Sequence, residues 1–214
     1  MLNPYIDEFI AIAIVNLLAL MLPGPDFAVV VKNSIGRSRS HGIITSIGVS
    51  LGVGFHVLYT LLGIRVLIHS MPNLFFIIKL LGASYLAYLG IKSLISGKKR
   101  ESLGKDFSFV SSEQSLGRSL IEGLLTNIFN PKCTIFFLCL LSGTIDLNTP
   151  NLILGLIAVE ILGLTFLWFS FLACFITLSF FQKRLETFFP KIEKIMGVFL
   201  LALATYIVFF EKLP

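Results

Sequence analysis

The chain has 214 residues, 56% of them hydrophobic against 14% charged, with a formal net charge of +5, and its mean hydropathy is +0.91. This composition excludes an ordinary soluble domain and predicts an all-α integral membrane protein, with room for about six spans of roughly 20 residues and little else. The basic excess, set in short connections between apolar runs, reads as loops facing anionic membrane lipid and not as a nucleic-acid surface.

Apolar length places the spans at about 9–31, 42–64, 74–95, 119–144, 152–178 and 193–210. Asp7 and Glu8 precede the first run, so the basic leader of a cleaved signal is missing and the run is expected to stay as an anchor. Pro23-Gly24-Pro25-Asp26 interrupts it. A proline at membrane depth removes a backbone donor, which is tolerated where protein or a water-filled cavity satisfies the freed groups. The second span carries Gly48 and Gly52 at the Gly-x-x-x-Gly spacing of closely packed helices, and His56 near its middle. Gly48-Val49-Ser50-Leu51-Gly52 also matches a hydrolase nucleophile pattern. That chemistry needs a strand-turn-helix elbow, whereas these residues fall in one apolar helix. After the third span comes a Gly-, Ser- and Lys/Arg-rich stretch, 97–118. The fourth span is broken, like the first, at Asn130-Pro131-Lys132, and the fifth holds Glu160.

Basic residues crowd alternate connections: Lys32, Arg37 and Arg39; Lys98, Lys99, Arg100, Lys105 and Arg118; Lys183, Arg184, Lys191 and Lys194. By the positive-inside rule these face the cytosol and both termini lie outside it. The 97–118 linker divides the chain into two repeats of three spans, 1–96 and 119–214. An odd span number makes the second repeat enter the membrane the opposite way. Gly24-Pro25-Asp26 echoes Asn130-Pro131-Lys132, and Lys79-Leu80-Leu81-Gly82 echoes Lys194-Ile195-Met196-Gly197, at unequal offsets. Interrupted helices at corresponding positions of two inverted repeats are the mark of a secondary transporter.

At these residues the chain resembles the LysE/RhtB family of amino-acid exporters. The resemblance runs through Pro23-Gly24-Pro25-Asp26 with Asn33-Ser34 and a basic turn, Gly42, Gly48, Gly52 and His56, Gly82-Ala83-Ser84-Tyr85-Leu86 to Gly90, and Asn127-Ile128-Phe129-Asn130-Pro131-Lys132. It implies efflux of amino acids or close derivatives across a bacterial cytoplasmic membrane, with neutral ones such as homoserine, threonine or leucine-like species expected. Glu160 is not part of the family pattern.

The residues themselves show how such a site works. Asn130 is a good N-cap and Pro131 a good first helical residue, and Gly24 and Pro25 suit the same parts. Each break then offers unpaired backbone donors and a partial positive charge, which an amino-acid carboxylate complements. The ammonium group needs the opposite, either Asp26 or the carbonyls freed at the preceding half-helix end. The candidate substrate-binding residues are therefore Pro23, Gly24, Pro25, Asp26, Asn127, Asn130, Pro131 and Lys132. The alternative is that the prolines are kinks and that Asp26 and Lys132 pair with each other.

Ionised acids at membrane depth cost about 2.5–3.5 kcal/mol on insertion scales, so Asp26, Glu122 and Glu160 each need a reason. Glu122 lies near Arg118 and the cytosolic surface. Burial disfavours the charged form of acid and imidazole alike, which makes Glu160 and His56 candidates to carry a coupling proton. The alternative is packing, with His56 donating to a backbone carbonyl and Glu160 neutral beside a hydroxyl such as that of Thr165. Cys133, Cys139 and Cys174 lack metal-ligand spacing, as do His41, His56 and His69, so no metal or cofactor is expected. An enzyme would need a nucleophile beside a base, and Ser50 with His56 is poorly aligned for it on one helix. A structural subunit needs no paired breaks. Within transport, the runner-up is export of a metal cation or another small solute that is not an amino acid, as in the wider LysE superfamily; cation export would favour clustered acids or thiolates. No nucleotide motif is present, so an ion gradient, the membrane potential or the substrate gradient itself is expected to supply the energy. The working unit, monomer or homodimer, is left open.

Overall fold

The computed structural model describes residues 5–95, 115–145 and 149–209, and every regular element among them is an α-helix. In chain order these are α1 (Ile6–Met21), α2 (Pro25–Gly36), α3 (Arg39–Ser70), α4 (Pro72–Ile95), α5 (Leu116–Ile128), α6 (Pro131–Thr144), α7 (Asn151–Phe175) and α8 (Ser179–Phe209). Helices α3, α4, α7 and α8 each hold a stretch long and apolar enough to cross a membrane. The pairs α1/α2 and α5/α6 are each bent by 60°, and counting each pair as one broken span gives six.

Proline chemistry sets both bends. Leu22, placed before Pro23, is held extended at φ −68°, ψ 122°, and ends α1. Pro25 then opens α2 with Gly24 as its N-cap. In the second half Pro131 opens α6 behind Asn130, which is extended at φ −84°, ψ 103°. The order of a broken pair followed by two long helices thus occurs twice.

Some boundaries move. Helix α3 runs on to Ser70, past the expected end near 64, and α8 begins at Ser179, with its apolar stretch confined to Lys191–Phe209. Lys183, Arg184, Lys191 and Lys194, expected around a connection, fall within the range of α8. Residues 97–114 of the expected linker lie outside the described residues, and α5 begins at Leu116, inside the linker's predicted range.

Helix α3 is the central element, packed on α5 and α7, while α4 packs on α8. Small residues make the first contact close. A Cβ at Gly48 would collide with the Leu120 carbonyl oxygen, one at Gly123 with that of Thr45, and one at Gly52 would lie 2.7 Å from Asn127 Cβ. Removing side chains here lets backbones meet, which is how helices gain contact where lipid offers no hydrophobic drive. The α4/α8 contact is reciprocal: a Cβ at Gly90 would stand 2.9 Å from Gly197 O, and one at Gly197 would stand 2.8 Å from Gly90 O. Two glycines facing each other across a close helix crossing produce such reciprocity. Gly82 faces Cys139 instead.

On its outer face α3 presents Leu51, Phe55, Leu58 and Leu62, 50–66% exposed. An apolar stripe of this kind suits lipid contact.

Candidate functional site

The two breaks meet. Asn130 Oδ1 accepts the Lys132 backbone N–H at 3.1 Å, and Asn130 Nδ2 donates to Asp26 Oδ2 at 2.9 Å. One amide therefore starts α6 and holds the acid in the first turn of α2. Lys132 reaches back past Gly24, placing Nζ 3.3 Å from Leu22 O and 3.5 Å from Ala19 O. Leu22 O lies just beyond the end of α1, and Ala19 O, in its last turn, also accepts the Leu22 N–H at 3.2 Å. A cation at that end and an anion in the first turn of α2 complement both half-helix dipoles. A Cβ at Gly24 would lie 3.4 Å from Nζ, so glycine leaves the lysine its path. The Cys133 thiol donates to Asp26 Oδ2 at 3.2 Å.

This differs from both sequence alternatives. Among the described residues no ion pair joins Asp26 to Lys132. Nor is the start of α6 fully open to a carboxylate, because Asn130 already takes the Lys132 N–H. The α1 carbonyls considered for a substrate ammonium are held by Lys132.

Between the breaks lies a cavity of about 30 Å³, room for one or two waters. Asp26, Asn127, Lys132 and Gly24 line it together with Asn16, and Val53, Phe136, Phe137 and Phe169 are among its apolar walls. Pro23, Pro25, Asn130 and Pro131 do not line it; they shape the breaks. The polar lining is underused. Asp26 Oδ1, Asn127 Oδ1 and both amide atoms of Asn16 are buried without a hydrogen-bond partner, although the three residues are only 8%, 0% and 1% exposed. Each such atom costs about 1–3 kcal/mol, so four around one cavity call for a functional reason. The volume is too small for an amino acid. Asn16 was not among the sequence candidates. Its signal was a lone amide inside an apolar helix that ends at the break.

His56 is 1% exposed and supports the second break. Its Nε2 lies 2.9 Å from Asn127 O and its Nδ1 2.9 Å from Tyr59 Oη. A carbonyl only accepts, so Nε2 carries the hydrogen and the Nδ1 of a neutral ring accepts from Tyr59. Glu160, half-buried on α7, has Oε2 buried without a partner. No hydrogen bond joins it to His56 or to Thr165, whose hydroxyl donates to Ile161 O at 2.8 Å. Ser50 donates to Leu162 O at 2.8 Å and makes no contact with His56.

A charged cluster closes one end of the bundle. Glu122 takes a two-pronged contact from Arg37, with Nη2 to Oε1 at 3.0 Å and Nη1 to Oε2 at 3.2 Å. Asn33 Nδ2 adds a bond at 3.2 Å, and Lys32 and Arg118 approach to 3.6 and 3.7 Å. The Arg37 side chain is 1% exposed. Arg39 donates to Thr177 at 3.3 Å, so the connections after α2 and α7 and the start of α5 share this basic end. Among the described residues no three His, Cys, Asp or Glu side chains gather as a metal site.

The comparisons with known proteins agree with this architecture. The "Threonine efflux protein" of Escherichia coli (strain K12) is 32% identical over 193 residues, covering 88% of this chain and 91% of its own. Its counterpart in Salmonella typhi is 31% identical over the same length. An "Uncharacterized membrane protein" of Haemophilus influenzae is 28% identical over 196 residues, 92% of this chain and 93% of that one. No solved structure matches. The family described as LysE type translocator matches residues 17–210, most of the chain including both proline breaks, and the chain belongs to that family.

Proposed function

We propose that this chain exports amino acids, or closely related small metabolites, across a bacterial cytoplasmic membrane by opening the cavity between its broken spans alternately to the two sides. The observation that carries this reading is the set of unpartnered buried polar atoms on Asn16, Asp26 and Asn127 around one cavity. Membership of a translocator family and similarity to threonine efflux proteins support the substrate class. Neutral amino acids such as homoserine, threonine or leucine-like species fit a lining with one acid and one base.

In this reading Asp26 Oδ1 and Asn127 Oδ1 accept the substrate ammonium. Lys132, with three donors of which two are engaged, turns the third toward the carboxylate. A zwitterion neutralises the acid and the base together, which is cheaper at membrane depth than binding either charge alone. The Arg37–Glu122 cluster forms the cytosolic gate, and both termini lie outside. The repeats, 1–96 and 119–214 about the 97–118 linker, move against each other to exchange access. Export is coupled to proton entry, with Glu160 or His56 carrying the proton. The unpartnered Glu160 Oε2 supports the first, because a buried acid that is protonated on one side and ionised on the other makes its desolvation part of the cycle.

The test is counterflow in proteoliposomes with the proteinogenic amino acids, homoserine and a few divalent metals. Counterflow of one or more amino acids is expected, and counterflow of metals alone would overturn the reading. For coupling, Glu160→Gln should block uphill export under an imposed pH gradient yet spare substrate exchange. Uphill export that persists in both Glu160→Gln and His56→Ala, or that ignores the pH gradient, would remove proton coupling from these residues.

A further inference from the structure

The four unpartnered polar atoms of the cavity do not all suit the backbone groups of an amino acid. Asp26 Oδ1 and Asn127 Oδ1 only accept and face an ammonium well. Asn16 is different. It offers one acceptor and one pair of donor hydrogens on the same side chain, buried to 1% exposure on α1 in the cavity lining, and neither atom has a partner. An ammonium would use only its oxygen and a carboxylate only its nitrogen. A hydroxyl uses both, since it donates one hydrogen and accepts another. Much of the remaining lining is apolar, with Leu20, Val53 and Phe137 among it.

We infer that Asn16 is a specificity-determining residue that reads a hydroxyl on the side chain of the exported amino acid, an inference that rests on the amino-acid export reading. An aliphatic side chain of the same shape would leave both atoms of Asn16 buried and unmade. A site built to hydrogen-bond a hydroxyl discriminates strongly against the isostere that lacks it, whereas an apolar pocket barely separates the two. The substrates this selects are small hydroxylated amino acids, and leucine-like species are disfavoured.

Threonine and valine are isosteric and form the probe pair. Competition of unlabelled threonine or valine against labelled threonine counterflow gives a preference ratio for the parent, Asn16→Leu and Asn16→Ser. Asn16→Leu keeps the branched shape in a larger side chain and removes both polar atoms, while Asn16→Ser keeps a donor and an acceptor. The parent should favour threonine by roughly 10- to 100-fold. Asn16→Leu should bring the ratio close to one, chiefly by improving valine relative to threonine, and Asn16→Ser should retain a threonine preference. If Asn16→Leu does not reach the membrane, Asn16→Ala is read by the same ratio. A parent that moves threonine and valine equally, or an Asn16→Leu variant with the parental ratio, overturns the inference and leaves Asn16 as a water-holding or packing residue. A parent that moves no amino acid at all overturns the export reading itself.

Discussion

Replacing Asn130 tests the link between the two breaks, because its one amide does two separable things. Asn130→Ala removes the N-cap of α6, worth about 0.5–2 kcal/mol. It also removes the Nδ2 bond to Asp26, 2.9 Å long, and a hydrogen bond to an ionised group is worth about 1.5–3 kcal/mol. Asp26 would then keep only the weak Cys133 thiol donor while still buried. The two terms share an atom group and do not add freely, so a loss of about 2–4 kcal/mol is expected. Insertion should survive, since the apolar lengths are unchanged. Asn130→Ser separates the parts by restoring the cap without the reach to Asp26. Melting temperature in detergent and export at matched expression would be measured for both. Asn130→Ala should lose both stability and export, and Asn130→Ser should recover about 1 kcal/mol of stability, the worth of a cap, without recovering export. Parental export by Asn130→Ala would place the site elsewhere.

The remaining expectations concern packing, the charged end and topology. Gly48→Ala drives a methyl against the Leu120 carbonyl and should cost about 1–3 kcal/mol, seen as a lower melting temperature. Gly155→Ala, with nothing within 4 Å, should leave it unchanged or slightly raised. Glu122→Gln removes the charge of the carboxylate that takes the two-pronged contact from Arg37 and should destabilise the protein, and Arg37→Lys should not substitute because it cannot make that contact; equal melting of all three proteins would contradict this. A reporter fused after Pro214 that is active only in the cytosol would contradict the proposed orientation.

Much of the fold was legible because its determinants are local. Apolar length located the membrane segments, and Pro23, Pro25 and Pro131 located the bends, since a missing N–H and a fixed φ act on the residues beside them. Gly48 and Gly52 announced a close helix contact but not its partner, α5. What stayed hidden depends on distant pairing. Glu122 reads in sequence as a neighbour of Arg118, yet its shortest contact is with Arg37, 85 positions away. The α4/α8 contact was hidden for a similar reason: Gly82 and Gly90 look alike in sequence, and only the structure shows that Gly90 is the one that meets Gly197. Asn16 was passed over because a single amide on a helix is a weak signal until both its polar atoms are found buried beside Asp26 and Asn127. Asn130 reads in sequence both as the cap of a new helix and as a ligand; the cap forms, and the hydrogen bond of the same amide to Asp26, 104 positions away, is the part that sequence does not show.

The central claim is that the transported amino acid sits in the cavity between the two breaks, and Cys133 offers a direct reading of it. Its thiol lines that cavity and touches Asp26 and Asn127. In a Cys139→Ala, Cys174→Ala background it is the only thiol, and its alkylation rate in detergent-solubilised protein can be followed by mass spectrometry. The account predicts that an exported amino acid slows alkylation of Cys133 in proportion to site occupancy, and that Asp26→Asn abolishes the protection. An alkylation rate that no exported amino acid changes would contradict it.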